Sequence, residues 1–261
     1  MYQSIITEVD DGIGILTLNR PDRHNTLDAT LIAEATQALG ELAADPGVRA
    51  VVLSSSGRSF CAGIDPAWMR EALNGTPEDN QQGNRHLARL LSTLNELPKP
   101  TLARVQGPAS GIGVGLIAAC DIAFATYDAS FALHEVKHGL LPAVACPYLV
   151  AAVGEHHARY YMLTARRFSA SEAYRIGLVH EMVPDEEQLD ASIGETIDDL
   201  LKNGPNAMSA CKTLIRVVSN QPIDETTIEE TVQSATVIQA STEGRKGMTA
   251  LVDKRRPEWS E

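Results

Sequence analysis

Apolar and polar positions change their spacing along the first part of the chain. Residues 2–9 and 13–19 have the alternation of strands, and the turn signal Asp11-Gly12 lies between them, which predicts a β-hairpin. Asp28 then precedes an apolar stripe with helical spacing. We therefore expect an amphipathic helix that begins at Asp28 and ends near residues 45–47.

The order of strand, loop and helix then recurs. Residues 50–54 form an apolar run typical of a buried strand, and a glycine-containing loop follows at 56–65. Residues 76–83 are polar and are expected to be loose, whereas leucines at helical spacing predict a helix over 85–97. After Pro100, residues 101–105 predict another strand.

A loop of small residues at 106–112 is the feature around which the chain is organised. It leads into a short apolar helix, expected at 113–120, and a strand at 122–126. Free N–H groups at such a helix start favour an anion or a developing oxyanion. Glu135 follows about twenty residues after Gly115, and backbone donors beside one carboxylate suit chemistry next to a carbonyl group.

A dinucleotide site is the alternative for the same residues. Gly113-Val-Gly115-Leu-Ile-Ala118 matches the alanine-ended dinucleotide fingerprint, and Glu135 supplies the acid about twenty residues later. The short helix and the gap between the strand and the first glycine favour the oxyanion interpretation.

Helical patterns dominate after Pro142, where no strand is expected. The predicted helices cover residues 150–164, 170–176, 187–202, 205–219 and 226–251. We expect a mixed α/β core at 1–190 and a helical region at 191–261. Apolar helices with little core of their own favour packing against another subunit.

Composition excludes several classes of protein. The 261 residues are 44% hydrophobic and 21% charged, without an apolar run long enough to cross a membrane. No secretory signal is visible at the N-terminus, so a cytoplasmic location is expected. The net charge of −12 argues against nucleic acid as a main partner. The four cysteines lack zinc spacing and are expected to be reduced, and no metal site is expected.

Together these motifs resemble the crotonase superfamily, the enoyl-CoA hydratase/isomerase family, over nearly the whole chain. The segments that carry the resemblance are Asn19-Arg20-Pro21 with Asn25, Phe60–Asp65, residues 100–121, Glu135, Arg167–Ala170 with Ala173, Gly177-Leu178-Val179, Glu243-Gly244 and Lys254-Arg255. Residues 67–69 and 139–147 are similar to a narrower bacterial branch, the methylglutaconyl-CoA and isohexenylglutaconyl-CoA hydratases.

The resemblance implies an α/β fold with a ββα spiral core and a helical C-terminal oligomerisation region. It also implies a homotrimer or hexamer and an acyl-CoA substrate, with no cofactor beyond the coenzyme A of that substrate. The thioester oxygen would lie between the backbone N–H groups of Ile64 and Ile112. Glu135 matches the second of the two hydratase glutamates, whereas the first falls on Gly115.

Other positions are implied by the same resemblance. Residues expected to bind CoA or substrate are Arg23, Asn25, Ala62, Gly63, Asp65, Gly111, Gly115 and Lys254. Ile112 stands where a glycine is usual, so its side chain is expected to narrow the pocket. With no second acid, His134, a backbone carbonyl or a carboxylate on the substrate is expected to hold the water.

Three functions remain open at this point. The favoured function is a hydratase that acts on a branched or carboxylated 2-enoyl-CoA. The candidate partners of the substrate's second carboxylate are Lys137, His138 and Arg70. An enoyl-CoA isomerase is the alternative, because one glutamate suffices to move a proton from C2 to C4. A non-catalytic member of the fold that binds CoA esters or RNA is the third.

Overall fold

The computed structural model describes residues 2–260, which form sheets flanked by helices. The strands are β1 Ile5–Asp10, β2 Ile13–Leu18, β3 Ala50–Ser55, β4 Thr101–Val105, β5 Ala109–Ser110, β6 Ile122–Thr126, β7 Ser130–Ala132, β8 Phe168–Ser169 and β9 Glu181–Val183. The helices are α1 Ala29–Ala44, α2 Pro66–Asn74, α3 Pro77–Asn95, α4 Ile112–Ala119, α5 Cys146–Thr164, α6 Ala170–Arg175, α7 Glu186–Leu201, α8 Pro205–Val218, α9 Glu225–Ala240 and α10 Thr242–Val252.

The larger sheet has the strand order β1-β2-β3-β4-β6-β9. The first pair is an antiparallel hairpin, and every later pair is parallel. The order advances in one direction without reversing, so the sheet lacks the switch point at which doubly wound folds bind dinucleotides. The topology therefore disfavours the dinucleotide interpretation of the Gly113–Ala118 segment.

The two faces of this sheet are covered by different helices. On one face, Leu16 and Leu53 join a core that includes Leu31 of α1 and Leu91 of α3. On the other, Val52, Leu102 and Phe124 pack with Leu189, Ile193 and Ile197 of α7. Parallel strands buried on both faces carry near-continuous apolar residues, as β3 does. The carboxyl ends of β3 and β4 are thus held in fixed positions, where the two glycine-containing loops begin.

Much of the predicted element order is confirmed in the N-terminal half. The hairpin, the strands at 50–54, 101–105 and 122–126, and the short helix before the last of them are all present. Asp28 caps α1, because its side chain accepts a hydrogen bond of 2.9 Å from the Leu31 N–H.

The expectation of a loose segment at 76–83 is wrong. These residues open α3, because Thr76 and Asp79 form a reciprocal capping box and Pro77 occupies the first turn. Helix α2 was not predicted either. Its signal is Asp65-Pro66, since the Asp65 side chain accepts from the Ala67 N–H and proline starts the helix.

The expectation that strands end after Pro142 is also wrong. β9 adds to the main sheet beside β6, and β8 pairs with β7. The single helix expected over 226–251 is two helices, α9 and α10, divided at Ser241, whose side chain caps α10 at the Gly244 N–H. The predicted boundary at residue 190 falls inside α7, which packs on the sheet.

The helices α8, α9 and α10 form a C-terminal arm with little core of its own. Within it only Thr227 and Ala250 are buried, whereas apolar residues such as Ile215, Val237 and Leu251 are exposed. Lys212 ties the arm to the core, because its ammonium lies 2.7 Å from Asp121 Oδ2. Across residues 2–260, no helix combines the length and apolar character needed to cross a membrane.

We expect Gly115→Ala and Gly40→Ala to have opposite effects on stability. A Cβ at Gly115 in α4 would lie 2.7 Å from the Cβ of Ala145, whereas a Cβ at Gly40 in α1 meets nothing within 4 Å. Overpacking should lower the free energy of unfolding of the first variant by about 1–3 kcal/mol. The second should gain about 0.5–1 kcal/mol from helix propensity. Denaturant unfolding measures both, and an equally stable Gly115→Ala variant would contradict this packing.

Candidate active site

Parallel pairings align four segments of the chain side by side at the candidate site. Leu27 bridges Ile64, Cys61 bridges Ala109, and β5 pairs in parallel with β7. The Ser110 N–H donates to the Cys61 carbonyl at 2.8 Å, which fixes the two glycine loops to each other. The two loops and the segment that ends at Glu135 are therefore neighbours, although they are distant in sequence.

Two backbone N–H groups of these loops have no acceptor. The pairing with Leu27 uses the Gly63 carbonyl and the Asp65 N–H, which leaves the Ile64 N–H free. Ile112 is the first residue of α4, so its N–H has no intrahelical acceptor. Neither group donates a hydrogen bond to any acceptor in the part of the chain that the structure describes. Two free donors on adjacent loops can stabilise negative charge on an oxygen.

Gly63 and Gly111 give these loops their shape. Gly63 has a φ of +100°, and a Cβ there would lie 3.3 Å from the Ser110 carbonyl oxygen. Gly111 has a φ of +54°, and its Cβ would lie 2.7 Å from Glu135 Oε1. Both positions therefore need glycine for conformation and for close approach. The second distance also shows that the Glu135 carboxylate lies directly beside the start of α4.

Glu135 is positioned by the turn that follows β7. It begins a 3-10 helix, Glu135–His138, and its Oε2 is buried without a hydrogen-bond partner in the described chain. Burial raises the pKa of this carboxyl above its ordinary value, against a smaller lowering by its own backbone N–H. A carboxylate with a raised pKa is suited to exchange protons near neutral pH.

Cationic groups surround the neighbouring His134. Burial lowers the pKa of this imidazole, and the charges of Lys137, Arg167 and His138 lower it further. His134 is therefore neutral near neutral pH, when its ring can both donate and accept a hydrogen bond. Lys137 and His138 lie on the same turn as Glu135 and are exposed, and the ammonium group of Lys137 adds positive charge to this side of the site.

The surroundings of Gly115 leave no space for a side chain. Its absent Cβ would meet Ala145 at 2.7 Å and the Cδ1 atom of Ile112 at 3.6 Å. Ile112, which was expected to narrow the pocket, is buried and lies near Gly115 with this atom. Ala145 and Ile112 thus occupy the space next to the position where the family resemblance places a first glutamate. Gly115 itself is buried in α4.

Asn25 and Asp65 are placed differently from the expected substrate contacts. Asn25 is completely buried in a left-handed conformation, and its amide bonds the Arg20 N–H and the carbonyls of Ser56 and Ser59. Its side chain therefore fixes the loop.

Asp65 is similarly enclosed at 3% exposure. Burial alone would raise its pKa, but the Ala67 N–H, the Thr26 hydroxyl and Arg20 together hold it below its ordinary value. Arg20, which the sequence analysis did not single out as a site residue, also pairs with Asp28 at 2.7 Å. Asp65 is therefore an ionised anchor of the first oxyanion loop.

The remaining expected residues lie at different distances from the site. Ala62 is exposed beside the Ile64 donor, and its N–H donates to the His24 carbonyl. Arg23 extends into solvent, with 61% of its side chain exposed, and touches Asp65 at 3.4 Å. Lys254 lies after α10, and no described contact joins it to the oxyanion loops. No group of metal-binding side chains was found among residues 2–260.

The family model for enoyl-CoA hydratase/isomerase matches residues 8–261. The chain belongs to this family. The match spans both glycine loops, Glu135 and the C-terminal arm, so the resemblance drawn from separate motifs holds for the chain as a whole.

Relatives within the enoyl-CoA hydratase/isomerase family agree in fold and in sequence. A crystal structure of an enoyl-CoA hydratase from Shewanella pealeana has a TM-score of 0.95 and 38% identity, and the match covers 98% of this chain and 96% of that one. The enoyl-CoA hydratase ACTT6 of Alternaria alternata is 34% identical over 87% of this chain and 74% of its own. A hydroxycinnamoyl-CoA hydratase-lyase of Pseudomonas fluorescens is 31% identical over 81% of this chain and 77% of its own.

We expect Glu135→Gln to stabilise this family member near neutral pH. Because burial raises the pKa of Glu135, the unfolded chain loses this proton at a lower pH than the folded chain. The wild type therefore loses stability, relative to the neutral glutamine variant, as pH rises above the ordinary value of 4.5. Above the folded pKa the difference stays constant, and below 4.5 it disappears.

Urea unfolding of both proteins across this pH range measures the difference. Glu71→Gln, at an exposed position of α2, is the control and should change stability little. A stability difference for Glu135→Gln that is independent of pH would contradict a buried, ionisable Glu135.

Proposed function

We propose that this protein is an enoyl-CoA hydratase that adds water across the C2=C3 bond of a 2-enoyl-CoA. The observation that carries the proposal is the pair of free N–H groups, on Ile64 and Ile112, beside the half-buried carboxylate of Glu135. The names of the relatives in the family support the same reaction. Fixed donors suit a thioester oxygen, since it gains negative charge when the β-carbon is attacked.

The proposed reaction uses Glu135 twice. Its carboxylate takes a proton from water as the water oxygen forms a bond to C3. The electron pair of the C2=C3 bond moves toward the thioester, and the N–H groups of Ile64 and Ile112 stabilise the resulting enolate oxygen. Glu135, now protonated, returns its proton to C2, so that one water is added in total. Each oxyanion donor typically contributes roughly 10²–10³ in rate.

The attacking water needs a second group to hydrogen-bond it, because Gly115 occupies the position of the first family glutamate. One candidate for this second group is His134, whose lowered pKa keeps its ring neutral. The other candidates are a backbone carbonyl and a carboxylate of the substrate. Isomerisation is a second candidate function for a specific reason. Ala145 lies against Gly115, which leaves one carboxylate, and one carboxylate suffices to take a proton from C2 of a 3-enoyl-CoA and return it at C4.

For the acyl group we propose a branched or carboxylated chain of the glutaconyl type. The narrower resemblance of residues 67–69 and 139–147 motivates this choice, and the exposed ammonium group of Lys137, whose charge acts on His134, supports it. A second carboxylate would be costly to bury without such a partner. Met69 in α2 and Leu141 after the Glu135 turn are exposed apolar residues that suit a branched chain.

Assembly and location follow as further parts of the proposal. The exposed apolar residues of α8–α10 suit burial between subunits, in a trimer or a dimer of trimers. Arg23 and Lys254 are the proposed cations for the phosphates of coenzyme A, with Lys254 brought to a site by assembly. The substrate's coenzyme A is the only cofactor proposed, and the proposed location is the cytoplasm.

We expect Glu135→Gln to lower kcat by roughly 10²–10⁴, because an amide cannot take the proton near neutral pH. The affinity for CoA esters should change little, since the amide keeps the shape of the side chain. Steady-state kinetics with 2-enoyl-CoA and 3-enoyl-CoA esters measure the loss, and Glu71→Gln is the matched control.

Mass analysis of the products in the same assay separates the two reactions. A hydratase gives a product heavier by one water, whereas an isomerase gives a product of unchanged mass. Wild-type turnover by Glu135→Gln on the best substrate would show that the proposed mechanism is wrong.

We further expect kcat/KM to be higher for a branched, carboxylated 2-enoyl-CoA than for crotonyl-CoA. Lys137→Met should reduce this preference, because it removes a cation from the proposed carboxylate side of the site. Lys202→Met is the control, since Lys202 pairs with Asp199 at the end of α7. Equal or better kcat/KM for crotonyl-CoA would remove the substrate assignment and leave the reaction type in place.

A further inference from the structure

A cavity of about 570 Å³ lies between α5, β8 and α6, outside the residues proposed for catalysis. Its volume falls within the range of small-molecule sites, about 300–1,000 Å³. Three arginines and one acid, Glu172, line it together with aromatic rings; the arginines are Arg166, Arg167 and Arg175, and the rings include Tyr160. In a chain with a net charge of −12, this concentration of positive charge is a local exception.

The local fold explains why these residues meet. The side chains of His156 and Tyr160 are one helical turn apart on α5, so they share a face of this helix. Ala165 ends this helix with a φ of +47°, and Arg166 and Arg167, which follow it directly, line the cavity. Arg175 lines the cavity from α6.

Two of the arginines lack an acidic partner. Arg166 donates to the Tyr160 hydroxyl at 3.1 Å, and Arg167 donates to the Ser130 hydroxyl at 3.0 Å. No carboxylate lies within 4.0 Å of either guanidinium in the described chain, whereas Arg175 is neutralised by Glu172 at 2.6 Å. The cavity therefore keeps two guanidinium groups with spare donors beside an exposed aromatic ring.

We propose that this cavity binds a nucleotide, with the phosphates on Arg166 and Arg167 and the base against the ring of Tyr160. Planar guanidinium groups pair with phosphate through two parallel hydrogen bonds. The volume exceeds what an inorganic anion needs, and Tyr160 is 45% exposed, which leaves a ring face for stacking.

The same nucleotide chemistry has two possible sources. One is a free nucleotide such as ADP, and the other is the nucleotide end of a second coenzyme A molecule, distinct from the substrate whose phosphates are proposed to meet Arg23 and Lys254. Arg167 also bonds Ser130 at the start of β7, the strand that leads to His134 and Glu135. Arg167 thus joins the cavity to the strand that leads to the candidate active site.

The test titrates the full-length protein with ADP, pyrophosphate and CoA at low ionic strength by calorimetry. We expect one ADP site per chain and weaker binding of pyrophosphate. Arg166→Gln/Arg167→Gln should weaken ADP binding about tenfold or more, because hydrogen bonds between charged groups are lost. Arg159→Gln should change it less than about twofold, since Arg159 pairs with Glu155 and does not line the cavity.

A second pair of variants tests the ring. Tyr160→Phe keeps the stacking surface and should retain most of the preference for ADP over pyrophosphate, whereas Tyr160→Ala should lose it. If the double arginine variant weakens ADP alone, the ligand is a free nucleotide. If it weakens CoA to the same extent, the cavity takes the nucleotide end of coenzyme A.

Three results would overturn the proposal. The first is that the wild type shows no saturable binding of ADP. The second is that Arg159→Gln weakens ADP binding as much as the double arginine variant does. The third is that pyrophosphate binds as tightly as ADP. A change of oligomeric state in the double arginine variant without ADP binding to the wild type would assign this face to a subunit contact instead.

Discussion

The candidate site depends on the backbone pairing between the two glycine loops. The Ser110 N–H donates to the Cys61 carbonyl, and on the other side Gly111 donates to the Ala132 carbonyl that precedes the Glu135 turn. These bonds place two free N–H groups and one carboxylate on adjacent segments. Because the donors belong to the backbone, their direction is fixed by the fold before any ligand binds. The buried side chains of Asn25 and Asp65 fix the beginning and the end of the first loop, because Asn25 donates to the Ser56 carbonyl and Asp65 accepts from the Ala67 N–H.

The most consequential departure from the family resemblance concerns the first of the two glutamates, whose position Gly115 occupies. Gly115, Ala145 and Ile112 pack together, so the absence of a glutamate at position 115 leaves no empty space beside α4. A carboxylate introduced at 115 would have to displace Ala145, at the start of α5. The chemistry thus rests on Glu135, whose partly buried carboxylate carries an unpaired oxygen. This arrangement explains why both hydration and isomerisation remain consistent with one fold.

The sequence could predict what is encoded locally. Asp28 as a helix cap, the glycine loops and the order of the first strands follow from short patterns. β9 could not be predicted, because its three residues form a strand only by pairing with β6. Ala145 lies thirty residues from Gly115, and only the folded chain reveals their contact. Asn25 was identified by motif, but its burial, and hence its structural role, required the structure.

The most direct test of the central claim is the carbonyl stretching frequency of a bound acyl-CoA with a labelled thioester carbon. Two fixed N–H donors should polarise the C=O bond and move its band to lower frequency than in free solution. The shift should persist in Glu135→Gln, because that variant leaves both backbone donors in place. A bound thioester whose band keeps its solution frequency would contradict the proposed oxyanion site of Ile64 and Ile112.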